Sequence, residues 1–190
     1  MLSLTRRSAI AAACGATLAL SLSGPALSQD TDVTGPVILT VTGNLAAPTR
    51  QAYSEADDKF FGYQDVDFDM AAQFDVGKLM GLELHTVKAD FPKGGQVYSF
   101  EGPLLADVLK AAGADGKTIT VQALDGYAVE ADVADLVDAG AVVALSRDGQ
   151  PFAIGDYGPT QIVFPRAERA DLADMSDDNW VWSIYHINVK

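Results

Sequence analysis

Hydrophobic and polar positions change period several times along the chain, and each change marks an element. Val37-Ile38-Leu39-Thr40-Val41-Thr42 is a β-rich run ended by Gly43, which predicts a strand. Residues 47–69 are polar and aromatic without a clean period, which predicts a loop with a short helix. Residues 74–80 fit one helical turn with Asp75 near its N-terminus. Two strands, 82–88 and 96–100, are expected around the loop 89–95. The clearest helix follows. Pro103 takes its first position, Leu104, Leu105, Val108, Leu109 and Ala112 form its apolar face, and Gly113 stops it.

Residues 118–124 predict a strand that ends in Asp125-Gly126-Tyr127. A helical turn at 132–137 and a strand at 141–146 come next, and Asp148-Gly149 carries a hairpin signal. Asp156-Tyr157-Gly158-Pro159 is a turn leading into a strand at 161–164. Residues 168–176 are acidic and helix-prone, and 180–189 read as a long closing strand on which Trp180 and Trp182 would share one face. Strands outnumber helices and come in neighbouring pairs. The fold class expected is α+β: a single domain with a mixed β-sheet core and short flanking helices, without internal repeats.

The first residues have a different character. Arg6 and Arg7 precede an uncharged Ala- and Leu-rich run, Gly24-Pro25 breaks it, and Ala26-Leu27-Ser28 supplies the small residues of a cleavage site. Residues 1–28 are read as a signal peptide, exported by the Sec or the twin-arginine route, and 29–190 as the mature domain. The expected location is the periplasm, with no membrane insertion after cleavage. Cleavage also removes Cys14, the only cysteine, so thiolate nucleophiles and thiolate metal ligands are excluded from the mature domain.

Charge narrows the chemistry. With 26 acidic against 13 basic residues the formal charge is −13, which repels phosphate backbones and argues against nucleic-acid partners. The two histidines, His85 and His186, lack ligand spacing, and His85 reads as a core or rim histidine. Asp65, Asp67 and Asp69 lack the Gly and distal Glu of an EF-hand loop. No G-x-S-x-G and no glycine-rich phosphate loop is present. The informative places are loops at strand ends. Leu124-Asp125-Gly126-Tyr127 and Asp156-Tyr157-Gly158-Pro159 each join a carboxylate, a glycine and an aromatic ring. Such a loop can bind a flat heterocycle, with the ring stacked and the carboxylate accepting its N–H edge; the alternative is a pair of ordinary turns.

Five segments in order carry a resemblance: Leu39-Thr40-Val41-Thr42-Gly43, Phe74-Asp75 with Leu79, Phe100-Glu101-Gly102-Pro103-Leu104-Leu105, Ala123-Leu124-Asp125-Gly126-Tyr127 and Asp156-Tyr157-Gly158-Pro159, closed by 182–189. Together they resemble the sulfite-oxidase-type molybdopterin-binding domain in its small stand-alone periplasmic form. The resemblance implies a pterin-binding cleft. Catalytic members of that family hold molybdenum through a cysteine at the position matching about Ala123, and no cysteine stands here. Arginines for a cofactor phosphate are scarce too, with only Arg50, Arg147, Arg166 and Arg169 in the mature domain. The departure argues against catalysis and makes the chain similar to the PruR-type pterin-binding regulators. The resemblance then implies a reduced pterin or related heterocycle as ligand, with molybdopterin as the alternative. It implies, as partner, the periplasmic part of a membrane sensor, either a cyclic-di-GMP enzyme or a histidine kinase. Asp125, Tyr127, Phe91, Tyr157, Thr86 and Trp182 are the expected ligand-binding residues. Glu83 and Asp156 are the next carboxylates, and Trp180 is a further stacking candidate. The other reading is a molybdopterin-dependent oxidoreductase or redox subunit.

Overall fold

The computed structural model describes residues 33–190. The expected signal segment lies outside them. Chain entry is fixed at once: Thr34 and Gly35 donate their backbone N–H groups to Asp75 Oδ2 at 2.8 and 2.7 Å. The β-branched run forms β1 (Val37–Gly43), followed by a two-residue strand β2 (Arg50–Gln51) and a short helix α1 (Lys59–Tyr63). Next come β3 (Met70–Asp75) and α2 (Val76–Met80), whose first turn is capped because Asp75 Oδ1 accepts from Lys78 N at 2.7 Å. β4 (Leu84–Asp90) and β5 (Val97–Pro103) form a long antiparallel hairpin leading into α3 (Leu105–Ala111). A second hairpin, β6 (Thr118–Ala123) and β7 (Ala128–Asp132), turns at Asp125-Gly126 and feeds α4 (Val133–Asp138). The chain ends with β8 (Val142–Ala144), β9 (Ser146–Arg147), β10 (Gln150–Pro151), β11 (Gln161–Val163) and β12 (Ile184–Val189).

These strands build a six-stranded sheet of order β2-β3-β1-β12-β6-β7, a four-stranded sheet β10-β9-β5-β4 and a two-stranded pair β11-β8. The large sheet is mixed, because β1 and β12 run parallel while its other pairs are antiparallel. This is the α+β architecture expected. One apolar cluster joins the sheets, with Leu39, Val41 and Ile187 from the large one, Phe100 from the second, and Val143 and Ile162 from the pair. Each such fully buried side chain stabilises by about 1.5–3 kcal/mol relative to exposure.

Several sequence expectations are corrected. Pro103 is not the first helical residue; it closes β5 opposite Leu84, and α3 starts at Leu105 behind Leu104 as N-cap. Proline at a strand end loses no ladder donor that the sheet needs there. The run 141–146 is split between β8 and β9, which pair in different sheets. The acidic stretch 168–176 forms only a 3-10 turn at Ala170–Leu172. The closing strand begins at Ile184, because Ser183 adopts φ 53° and breaks the extended run. Trp180 and Trp182 therefore do not share a strand face. Trp180 is 1% exposed and Trp182 41%.

Among the described residues no helix is long and apolar enough to cross a membrane. His186 sits in β12 with Nε2 2.8 Å from Thr42 Oγ1 and Nδ1 3.3 Å from Gln122 Oε1. Burial pushes its pKa down from 6.5 to about 4. The depressed value means the unfolded chain binds the proton first, so stability is present above pH 6.5 and is lost as pH falls towards 4. The loss expected from this group is about 3 kcal/mol. Denaturant unfolding at stepped pH should show it, and His186→Gln should flatten the slope in that window. An unchanged slope in the variant would assign the acid sensitivity elsewhere.

Candidate functional site

The turn after β6 is built by its own residues. Gly126 takes φ 89° and donates to Ala123 O at 3.0 Å, while Tyr127 N donates to Asp125 Oδ1 at 3.0 Å. A residue with a Cβ is strained at that φ, so the glycine is needed to close the turn. The turn presents Asp125 and Tyr127 outward at the end of the large sheet. Facing them is Phe91, at the end of β4, and the segment 177–182 that leads into β12.

Together these elements enclose a cleft of about 300 Å³ lined by Ala123, Asp125, Tyr127, Phe91, Trp180 and Trp182, with Asp177, Asp178 and Val181. Ala123 lies at its buried end, where β6 and β12 pair through Ala123 and Ile184. Tyr127 Oη donates across the cleft to Asp178 O at 3.2 Å. The expected residues Asp125, Tyr127, Phe91 and Trp182 are thus brought together. Tyr157 stands just behind, edge-on to Phe91 at 5.8 Å and to Trp182 at 6.2 Å between ring centroids. Thr86 is not part of the cleft. It sits mid-strand in β4, exposed, and donates to Glu101 Oε2 at 3.4 Å. Position along the hairpin explains the difference: Thr86 lies opposite Glu101 on its open face, whereas the cleft is met by the end that carries Phe91.

The aromatic faces are not equally available. Phe91 and Trp180 lie nearly parallel, 10° apart with centroids at 5.7 Å, which leaves no room for a third ring, since stacked rings need about 3.5 Å each side. Arg166 also covers Trp180, with its guanidinium 4.3 Å from the ring centroid. The open faces are those of Tyr127, 50% exposed, and Trp182.

Sequence reasoning missed the ionic support beneath the cleft. Arg166 Nε bonds Asp90 Oδ1 and its Nη1 bonds Asp177 Oδ1, each at 2.7 Å, and Nη1 also bonds Met175 O at 3.0 Å. Asp177 Oδ2 accepts from Lys93 N at 2.8 Å, so the loop carrying Phe91 is tied to the segment carrying the tryptophans. Burial works to raise the Asp90 carboxyl, but Arg166 and the Gly94 N–H outweigh it and hold the group below its usual range. Asp177 and Asp178 carried no sequence signal beyond an acidic run, which ordinarily reads as a solvated face.

A molybdenum cofactor fits this cleft poorly. Ala123 offers no ligand atom, and no lysine or arginine is among the lining residues. Arg166 is the near cation, but its side chain is 2% exposed and already paired. Asp125 and Asp178 would repel a cofactor phosphate. What the donor set can do is stack a flat ring on Trp182 or Tyr127 and accept N–H bonds at Asp125.

No family model and no curated protein matches the chain. Among solved structures it is similar to the sulfane dehydrogenase SoxCD from Paracoccus pantotrophus, with a TM-score of 0.54 and 14% identity over 80% of this chain. The match spans only 37% of that protein's chain. The likeness is one of fold, and it supports the sulfite-oxidase-type architecture.

Proposed function

We propose that this chain is a non-catalytic receptor for a flat, N–H-bearing heterocycle, a reduced pterin or a close relative. In this reading it works in the periplasm and reports its bound state to a membrane sensor, a cyclic-di-GMP enzyme or a histidine kinase. The observation that carries the reading is the cleft itself, lined by Ala123, which stands at about the position where the resemblance puts the metal-binding thiolate of catalytic sulfite-oxidase-type proteins. Around that alanine stand ring faces and carboxylates rather than cations. A volume of about 300 Å³ accommodates a two-ring heterocycle and lies at the small end of ligand sites.

A molybdopterin-dependent oxidoreductase or redox subunit is the second reading. It is favoured by the fold likeness to a protein named a dehydrogenase. Titration separates the two. A reduced pterin such as tetrahydrobiopterin should change tryptophan fluorescence saturably through Trp182, and molybdate and sulfite should not. The absence of both a heat signal and a fluorescence change on adding reduced pterins would sink the receptor reading.

A further inference from the structure

A second concavity, of about 450 Å³, lies on the open face of the β4–β5 hairpin and shares no lining residue with the heterocycle cleft. One wall is α2 with the start of β4, giving Val76, Met80 and Leu84. The other is the segment after β9, giving Phe152 and Ile154. Its rim is unusually apolar for a surface: Ile154 is 77% exposed, Met80 55% and Val76 47%. Its polar lining is Glu101 and Ser146, which stand directly opposite each other on β5 and β9.

Glu101 makes no ion pair among the described residues. Thr86 Oγ1 engages one carboxylate oxygen at 3.4 Å. Two cations are near. Lys88, opposite Ser99, shares the Glu101 face of the hairpin but forms no ion pair with it and does not line the concavity. Arg147 follows Ser146 along β9 and so points to the other face, where its guanidinium lies 4.5 Å from the Tyr98 ring and 5.0 Å from Tyr157. An exposed carboxylate without an ion pair, beside apolar walls and on a chain of net charge −13, is complementary to a cation attached to an apolar body.

We propose that this groove binds an amphipathic amine, with an alkyl or aryl body between Met80, Leu84 and Ile154 and its ammonium group on Glu101. A volume of about 450 Å³ is that of a small-ligand site, whereas a stable protein partner would need about 800 Å² of covered surface on each side. The proposal does not depend on what the heterocycle cleft binds.

The test is an amide-resolved NMR titration of the protein with n-octylamine, 1-octanol and octanoate. Saturable shifts should fall on Met80, Leu84, Glu101 and Ile154. Octylamine should bind roughly tenfold tighter than octanol, as expected for a hydrogen bond to a charged group, and octanoate weakest. Glu101→Gln should reduce octylamine to the octanol level, and Ile154→Ser should weaken both. Asp125→Asn should leave the amine site untouched, which keeps this result separate from the pterin one. Octanol binding as tightly as octylamine would mark an apolar partner surface and overturn the proposal. So would shifts spread without saturation over the acidic surface.

Discussion

Arg166→Met should lower the unfolding free energy by about 3–5 kcal/mol, because it strips the partner from carboxylates that the fold has partly withdrawn from water. Asp90 and Asp177 are 19% and 31% exposed, and both meet the guanidinium at 2.7 Å. Asp90 is held ionised mainly against its own burial, so losing the arginine leaves a desolvated charge. The sign of its pH dependence follows. A lowered carboxylate pKa contributes stability above its unfolded value of 3.8, and that contribution fades as pH falls below it. The penalty of Arg166→Met should therefore be full at pH 7 and shrink in acid. Adding Asp90→Asn to the variant should recover part of the loss. Chemical denaturation of the three proteins measures this. A loss of under about 1 kcal/mol at pH 7 would show that the pair behaves as an exposed one.

Asp125→Asn should weaken pterin binding by about tenfold or more, while stability hardly changes. Hydrogen bonds to a charged acceptor are worth about 1.5–3 kcal/mol each, and the substitution removes the charge and one of two acceptor atoms. The turn should survive, because asparagine keeps an oxygen for the Tyr127 N–H that Asp125 Oδ1 now accepts. Trp182→Ala should act in the same direction through lost stacking, worth about 0.5–1.5 kcal/mol beyond area burial. Calorimetric titration of both variants gives the comparison. Unchanged affinity in Asp125→Asn would move the recognition to another carboxylate of the cleft, Asp178 first.

Elements with one dominant local signal were legible in the sequence. β1 announced itself through its β-branched run, α3 through its apolar face and Gly113, and the β9–β10 hairpin through Asp148-Gly149, both at positive φ. β3 was missed because Met-Ala-Ala-Gln-Phe-Asp is buried on both faces over most of its length and so does not alternate. β7 was missed because Ala-Val-Glu-Ala-Asp looks like a polar loop; it is an edge strand, where acidic residues are tolerated. The break at Ser183 lay inside a continuous apolar text and had no local mark.

The site divides along the same line. Asp125, Gly126 and Tyr127 form a turn whose geometry is local, so the sequence exposed it. Arg166 and Asp90 lie 76 positions apart, and nothing in either neighbourhood pairs them. Thr86 went wrong because a position along β4 was known from sequence but the end of the hairpin that meets the cleft was not. The stacking rings were found by type, whereas their availability depends on tertiary packing that covers Trp180 and leaves Trp182 open.

The central claim is that the cleft ending at Ala123 holds an organic heterocycle without a metal. Mass spectrometry of the small molecules and metals released from protein purified from its native compartment tests it most directly. The account predicts a pterin near one equivalent with only background molybdenum. Molybdenum at one equivalent per chain would contradict it and make the chain a molybdopterin protein.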